Sequence, residues 1–135
     1  MHIPWEDEKT LWAVERFMAD YRWDVVINLG DLMDLGCISH WNDGKASTMA
    51  MQTQFEDDLG MTTLCLDRQL AILRKKNPHV KYKYIQGNHE FWANDMMEKN
   101  PALKKTFDLP LRLGLRERGV EWFPFWEDHR HIVRI

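Results

Sequence analysis

The sequence predicts an α/β domain in which helices flank a layered sheet. Segments whose apolar residues recur every three or four positions alternate along the chain with short runs rich in valine, isoleucine or tyrosine. Two of these short runs end in glycine followed at once by polar residues with metal-binding or acid–base chemistry. Ligands of open α/β sheets collect at the carboxyl ends of the strands. The polar residues that follow the two runs are therefore predicted to form one functional site at the same edge of the sheet.

The composition is that of a globular protein with a single core. The 135 residues are 44% hydrophobic and 29% charged, so we expect one domain over residues 1–135. The net charge of −3 disfavours a tight nucleic-acid binder, although it does not exclude an enzyme that acts briefly on nucleic acid. No apolar run approaches the roughly 20 residues of a membrane span, and acidic residues stand at positions 6–8 in place of a signal sequence. We therefore expect a cytoplasmic protein without a membrane partner.

The chain opens with a predicted helix and a predicted strand. The helix spans Asp7 to Tyr21. Acidic residues fill its first turn, where the helix dipole favours negative charge. The strand spans Trp23 to Leu29, and its continuous β-branched centre is typical of a strand buried on both faces. A turn-rich loop from Leu35 to Ala46 follows and is a candidate substrate lid. The predicted apolar face of the helix comprises Leu11, Val14, Met18 and Tyr21.

A long helix and a second strand come next. The helix spans about Ser47 to Lys76, with Gly60 as a point where it bends or divides. The strand spans Val80 to Gln86, and its alternation of aromatic and lysine residues predicts one wet face or a position near a sheet edge. The apolar residues predicted to share one face of the long helix are Phe55, Leu59, Leu66, Leu70 and Leu73.

The last third of the sequence predicts shorter elements. A helix is expected from about Phe91 to Lys99, followed by a short helix with loops between Pro101 and Leu115. Glu121 to Phe125 and His131 to Ile135 are predicted to be two further strands.

Two polar clusters carry the chemistry of the sequence. The cluster Gly30-Asp31-Leu32-Met33-Asp34 follows the first strand, and Gly87-Asn88-His89-Glu90 follows the second. Their oxygen and nitrogen donors suit divalent manganese, iron or zinc. Glycine at the start of each cluster lets the backbone turn sharply and leaves room for a bulky anion. A two-metal site needs a carboxylate that bridges ions about 3.5–4 Å apart, and Asp31 is placed to supply it.

The two clusters resemble motifs of the calcineurin-like metallophosphoesterases. That family carries, in order, Asp-x-His, Gly-Asp-x-x-Asp, Gly-Asn-His-Asp/Glu, a later His and a final Gly-His-x-His. His2 resembles the histidine of the first motif, residues 30–34 match the second, and residues 87–90 match the third. The resemblance is closest to small bacterial and phage-type members. It implies metal-dependent hydrolysis of a phosphoester, of the phosphodiesterase or nuclease kind, with a nucleic acid or nucleotide as a candidate substrate.

The resemblance also implies a role for each matching residue. His2 would bind the first of two divalent ions, Asp31 would bridge them, and Asn88 would bind the second. His89 would contact the phosphate and protonate the leaving oxygen, while Asp34 would hydrogen-bond His89 and fix its orientation. Manganese is the favoured metal, with iron or zinc as alternatives.

Each of these residues has a plain structural alternative. Asp31 and Asn88 are also common turn residues, and Asp34 would equally suit a solvated loop. His89 could be a plain surface histidine, and His2 could belong to a frayed terminus. Glu90 is expected to support the first turn of the third helix more than the chemistry. Three tryptophans are candidates for a substrate cleft, although packing is the expected role of any one of them: Trp5, Trp41 and Trp92.

The chain also departs from the family pattern. The aspartate two positions before His2 has no counterpart, and the strand that would deliver it is missing. The last two ligand motifs are not found either, because His129 and His131 lack the flanking glycine and are interpreted as non-ligands. We therefore expect a partial domain without its first strand and C-terminal strands, which binds metal weakly. Exposed sheet edges would then favour a homo-oligomer.

Three other functions stay open at this point. The missing ligands fit a non-catalytic scaffold of the same fold, or an inactive fragment. The third function is a nucleic-acid-binding domain without catalysis. Its support is five basic residues from Arg74 to Lys83, with Tyr82 and Tyr84 interleaved, although a solvated face explains these residues as well. A Ser/Thr protein phosphatase is disfavoured, because Leu35-Gly36 follows Asp34 in place of Arg-Gly.

Overall fold

A computed structural model describes residues 2–39 and 48–124, which form a three-stranded parallel sheet with flanking helices. The predicted α/β class is confirmed. Two single 3-10 turns, Gly36–Ile38 and Pro101–Leu103, complete the described elements. The helices and strands in chain order are α1 (Glu8–Asp20), β1 (Val25–Asn28), α2 (Thr48–Lys76), β2 (Lys81–Ile85), α3 (Asn88–Lys99), α4 (Lys104–Phe107), α5 (Leu109–Arg112) and β3 (Val120–Phe123).

The strands lie in the order β1-β2-β3, and both pairs are parallel. Val25 pairs with Lys81 at the start of β1, and Asn28 pairs with Tyr84 at its end. Helix α2 connects β1 to β2, as a parallel pair requires. The carboxyl ends of β1 and β2 therefore stand side by side, as expected for the two polar clusters.

Strand β2 is the central strand of this sheet, which corrects the expectation of a sheet-edge position. Its tyrosines Tyr82 and Tyr84 are almost fully buried, whereas Lys81 is exposed. The alternation of tyrosine and lysine along β2 therefore indicates one buried face, and β2 pairs with β1 on one side and with β3 on the other. Val80, just before β2, is also in the core.

Helix α1 begins where the sequence predicts. The carboxylate of Asp7 accepts the N–H of Thr10 at 2.7 Å, and this hydrogen bond lowers the pKa of Asp7. Leu11 is buried, but Tyr21 is 56% exposed, so the predicted apolar face is only partly covered.

Strand β1 is half-buried, which corrects the expectation of burial on both faces. Val25 is exposed, and Val26 and Ile27 are of intermediate exposure. Among the described residues, β1 pairs on one side only, and a shallow groove lined by residues of α1 and β1 lies open beside it.

Helix α2 runs unbroken for 29 residues, and Gly60 does not divide it. Gly60 is exposed, and a Cβ there would have nothing within 4 Å. The predicted core face is confirmed, since all five of its residues are buried: Phe55, Leu59, Leu66, Leu70 and Leu73.

Several expectations fall on residues outside the described ranges. These are the end of the candidate lid at residues 40–46, Trp41, His129, and the strand expected at residues 131–135. Strand β3 ends at Phe123, within the expected range of residues 121–125. In residues 2–39 and 48–124, no helix combines the length and apolarity that crossing a bilayer demands.

Candidate metal and phosphoester site

The two polar clusters meet at the carboxyl edge of the sheet, and their glycines bring them together. Gly30 has φ +91°, a conformation that favours glycine, and a Cβ on it would overlap the backbone of Gly87. A Cβ on Gly87 would in turn overlap the amide nitrogen of Asp31. The glycines thus allow backbone-to-backbone contact between the loops, whereas the sequence predicted space for an anion.

The carboxylate of Glu90 joins the two loops. Its Oε1 accepts the N–H of Leu32 at 2.8 Å and of Met33 at 3.1 Å, and its Oε2 accepts the N–H of Asp31 at 2.8 Å. Oε2 also accepts the N–H of Gly87 at 3.0 Å, which lets α3 start at Asn88, three residues before the predicted start. Glu90 is fully buried, so these donors replace water around its charge.

The hydroxyl of Tyr84 is a fifth donor to this carboxylate, at 2.7 Å from Oε1 of Glu90. Burial raises the pKa of Tyr84 well above its ordinary value, and the negative charge of Glu90 raises it further. The phenol therefore stays protonated and donates. Glu90 supports far more than the first turn of α3, which the sequence predicted as its main role.

His2 is fixed beside the first cluster rather than frayed. Its N–H donates to the carbonyl of Asp31 at 3.0 Å, and the N–H of Ile3 donates to Leu32 at 2.7 Å. The carbonyl of Ile3 accepts the N–H of Asp34 at 2.9 Å, which completes a parallel bridge between Ile3 and Met33. His2 is thereby brought to the same edge as the two clusters.

The ring of His89 is held from two sides. Its Nδ1 lies 2.6 Å from the carbonyl oxygen of Asp34, and its ring stacks on Trp92 with centroids 4.2 Å apart. Because a carbonyl oxygen only accepts, Nδ1 carries the proton in this arrangement and Nε2 is the free nitrogen. The sequence predicted a bond from Asp34 to His89; the atom in contact is the backbone carbonyl.

The side chain of Asp34 lies between two histidines. Its Oδ1 is 3.5 Å from Nδ1 of His2 and 3.8 Å from Nδ1 of His89. The two imidazole rings meet edge to face, with centroids 4.5 Å apart. His2, Asp34 and His89 thus form the tightest group of ionisable side chains at this edge, and we call them the His–Asp–His cluster.

Asp31 and Asn88 lie beside this cluster but outside it. Asp31 has φ +50°, and its Oδ1 accepts the N–H of His89 at 2.8 Å. Asn88 is the exposed first residue of α3. The five predicted site residues therefore lie on neighbouring loops, and the structure brings three of their side chains into one group.

The donors of the His–Asp–His cluster fit a divalent metal. Each of its three residues offers one ligand atom, and these atoms lie within 4.8 Å of one another. Two nitrogens and a carboxylate oxygen suit manganese, iron or zinc. No second group of three His, Cys, Asp or Glu side chains is this close among the described residues.

Sequence reasoning missed one residue beneath this site. Asp58 of α2 is 1% exposed and lies under the turn that follows Asp34. It stands in an acidic stretch of a helix, which normally predicts a solvated face, and only tertiary packing buries it.

The buried tyrosines weaken the alternative of a nucleic-acid-binding surface. Tyr82 and Tyr84 are in the core, so they are not available to stack on bases. The cysteines are equally remote from chemistry. Burial raises the pKa of Cys37 to about 12 and of Cys65 to about 11, which keeps both thiols protonated.

Comparison with known proteins assigns the fold and its two loops to a family. The family model for calcineurin-like phosphoesterases matches residues 1–133, nearly the whole chain. The chain belongs to the calcineurin-like phosphoesterase family. One relative of this phosphoesterase chain is the Gene 54 protein of Mycobacterium phage D29, 33% identical over 107 residues.

That alignment covers 78% of the chain and 40% of the phage protein, so the chain spans less than half of its relative's length. No solved structure matches this calcineurin-like phosphoesterase. The predicted family and the likeness to phage-type members are both confirmed by these matches.

Proposed function

We propose that the chain carries the core of a metal-dependent phosphoesterase site, and that the whole protein hydrolyses a phosphodiester. The observation that supports this most is the His–Asp–His cluster at the junction of two family motifs, at the sheet edge where α/β proteins bind ligands. Two divalent ions are proposed, manganese before iron or zinc, with Asp31 and Asn88 joining His2 of the cluster as ligands, while Asp34 and His89 of the cluster serve proton transfer. A nucleic acid or a nucleotide is the proposed substrate.

The chain's own residues would divide the remaining work. Bound divalent ions would supply Lewis acidity and neutralise phosphate charge. His89 keeps Nδ1–H on the carbonyl of Asp34, so its free Nε2 is the atom that would carry a proton to the leaving oxygen. Stacking on Trp92 holds the plane of this ring, and Asp34 offers its carboxylate nearby.

The first test is manganese-dependent hydrolysis of a chromogenic phosphodiester. We would compare the 135-residue chain with a version extended in both directions along its reading frame, because the phage relative is much longer. The extended protein is expected to be active, and the shorter chain to be much weaker. Asp31→Asn and His89→Ala should each lower the activity of the extended protein by roughly 100-fold or more.

His79→Ala provides the matched control, since His79 lies before β2, away from the two clusters. It should leave activity unchanged. If the extended protein binds no manganese and hydrolyses neither phosphodiesters nor nucleotides, the catalytic proposal is wrong. If only nucleotides are hydrolysed, the result supports a phosphoesterase and contradicts the proposed preference for nucleic acid.

A non-catalytic scaffold is the second candidate, and one surface favours it. Phe17 and Tyr21 of α1 are more than half exposed, and their rings contact each other and Trp23 at 5.1–5.9 Å between centroids. Trp23 and Val25 continue this surface across a shallow groove of about 230 Å³. Exposed apolar patches of this kind mark binding surfaces.

Two variants would distinguish a catalytic function from a scaffold function. Phe17→Ser with Tyr21→Ser should reduce partner capture and leave hydrolysis intact, whereas His89→Ala should do the reverse. An extended protein that captures a partner but hydrolyses nothing would favour the scaffold.

We further propose that the chain self-associates through the open edge of β1 and acts in the cytoplasm. Val25 to Asn28 pair on one side only within the described sheet, which leaves backbone groups free for another strand. Light scattering of the purified chain should then give a mass above the 16.2 kDa of one copy. A strictly monomeric chain at high concentration would contradict this proposal.

A further inference from the structure

The three side chains of the His–Asp–His cluster lie at nearly the spacing of zinc ligands. Oδ1 of Asp34 is 3.5 Å from Nδ1 of His2 and 3.8 Å from Nδ1 of His89. Around a tetrahedral zinc ion with bonds of about 2.0–2.1 Å, neighbouring ligand atoms are about 3.3–3.4 Å apart. The three donor atoms lie within 4.8 Å of one another, so small rotations of the two rings would bring all three onto a single ion.

Hydrogen bonds to the backbone fix the carboxylate of the cluster in this position. The N–H of Asp34 donates to the carbonyl of Ile3 at 2.9 Å, and Oδ2 of Asp34 accepts the N–H of Gly36 at 3.2 Å. Oδ1 is therefore the oxygen that faces the two imidazole rings. Carboxylates that bind metals are commonly held by hydrogen bonds of this kind, which orient the ligand before the ion arrives.

The two histidines are held in place and are still accessible from solvent. The N–H of His2 donates to the carbonyl of Asp31 at 3.0 Å, and the ring of His89 stacks on Trp92 with centroids 4.2 Å apart. The side chain of His2 is 45% exposed and that of His89 is 19% exposed. An ion can therefore reach the cluster, as a metal site requires.

This set of donors differs from the ligands that the family resemblance implies, which are His2, Asp31 and Asn88. Oδ1 of Asp31 accepts the N–H of His89 at 2.8 Å, and Asp31 is not a member of the group of donors within 4.8 Å. Asn88 is the exposed first residue of α3. His2 is thus shared by two alternative ligand sets, one with more oxygen donors and one with two nitrogens.

The chemistry of the donors separates these two sets by metal. Two imidazole nitrogens and one carboxylate oxygen are a common zinc set, with a fourth position left for water. Such a site binds zinc more tightly than manganese, in keeping with the Irving–Williams order, whereas oxygen donors suit manganese. Zinc and manganese are therefore expected to compete for His2 while using different partners.

We propose that His2, Asp34 and His89 bind one zinc ion as a site of their own, and that this ion inhibits the phosphoesterase. Zinc takes up the Nδ1 lone pair of His89, and the proton that Nδ1 donates to the carbonyl of Asp34 moves to Nε2. The ring then has no lone pair left for a second proton, so it cannot form the imidazolium that would protonate a leaving oxygen. The inhibition rests on the proposed function, whereas the binding of zinc does not.

Calorimetric titration of the 135-residue chain with zinc chloride tests the binding. We expect one zinc ion per chain, with an affinity at least about 10-fold lower in Asp34→Ala and in His89→Ala. Asp31→Asn and Asn88→Ala should leave the affinity unchanged, because neither residue is a ligand in this mode and the Asn side chain can still accept the N–H of His89. His79→Ala is the matched control for a histidine outside the cluster, and it should also leave the affinity unchanged.

Ring ¹⁵N shifts of the unmodified chain provide a readout that does not depend on the folding of any variant. Zinc should move the ring nitrogens of His2 and His89 and leave those of His79 in place. No movement at His2 and His89 under saturating zinc would overturn the site. An affinity that falls as much in Asp31→Asn as in His89→Ala would overturn it as well, since the ion would then use the ligands that the family implies.

Hydrolysis by the extended protein tests the inhibition. Zinc added to the manganese-loaded extended protein should lower the rate, and the residual activity of Asp34→Ala should need at least about 10-fold more zinc for half-inhibition. Equal sensitivity of these two proteins to zinc would contradict inhibition at the cluster. An extended protein that binds zinc through the cluster but hydrolyses no phosphoester would contradict the proposed function and the inhibition, and would still support the zinc site.

Discussion

Three residues of this edge have a left-handed backbone without being glycine: His2, Asp31 and Leu35. Each such residue costs on the order of 1–3 kcal/mol and persists only where its surroundings hold it. Asp31 is held from both sides, since Glu90 accepts its N–H and its own Oδ1 accepts the N–H of His89. Strain of this kind is typical of residues that are positioned for binding or catalysis.

Replacing Glu90 should therefore damage the fold as well as the site. Glu90→Ala would leave four backbone N–H groups and the Tyr84 hydroxyl without their acceptor in a buried place. We expect the free energy of unfolding to fall by at least about 3 kcal/mol, measured by urea denaturation. Glu98→Gln, an exposed change in the same helix, should shift it by less than about 0.5 kcal/mol.

At the scale of elements, the site depends on how closely two strand ends approach. Parallel pairing of β1 with β2 brings Gly30 and Gly87 into backbone contact, and α3 starts immediately afterwards. Helix α3 therefore presents Asn88, His89 and Glu90 in its first turn, each in a different direction. This explains how one short motif supplies an exposed side chain, a half-buried ring and a buried carboxylate.

Gly87→Ala should disrupt this junction. Its φ of −92° is acceptable to alanine, so the cost would come from overlap of the new Cβ with Asp31 and with the Glu90 carboxylate. Both are held by hydrogen bonds and have little room to give way. We expect a loss of roughly 3 kcal/mol or more in unfolding free energy, measured by urea denaturation. Retention of wild-type stability would show that the loops are less tightly joined than the structure indicates.

Gly60→Ala should have the opposite effect. Gly60 is exposed within α2, and a Cβ would have nothing within 4 Å. Alanine restricts the unfolded chain and favours the helix, so stability should rise by about 0.5–1 kcal/mol. A thermal melt would detect it, and a fall in the melting temperature would mean that the helix needs flexibility at this position.

For the whole molecule, Asp58 links stability to pH. Burial, with the charges of Asp34 and Asp57, raises its pKa to about 6 from an ordinary value near 3.8. Between these two pKa values the folded state holds a proton that the unfolded state releases. Asp58 therefore stabilises the folded state at low pH, and this stabilisation is lost above its folded pKa. Its contribution is fully present below about pH 3.8 and is lost as pH rises through about 6.

Asp58→Asn should remove this dependence. Relative to wild type, the variant's unfolding free energy should increase between pH 4 and pH 7, by up to about 3 kcal/mol. Urea denaturation of both proteins across that range would measure it, with Asp57→Asn as the exposed neighbour that should show little change. Parallel pH profiles for Asp58→Asn and wild type would contradict the raised pKa.

Much of this molecule follows from its local sequence. Apolar spacing alone placed the core face of α2 correctly, because a 3.6-residue repeat leaves one stripe facing the sheet. The order of helix and strand predicted a layered α/β sheet, and the position of the two motifs after its strands predicted that they would meet. Family membership followed from the residues of those motifs.

What the tertiary structure decided depends on contacts between residues distant in sequence. The half-burial of β1, the central position of β2, and the five bonds to Glu90 require knowledge of which loops and strands become neighbours. So does Asp58, whose acidic surroundings in α2 predict exposure until the turn after Asp34 covers it. Periodicity records which face of an element is apolar, whereas hydrogen bonds between loops depend on backbone geometry that no local pattern encodes.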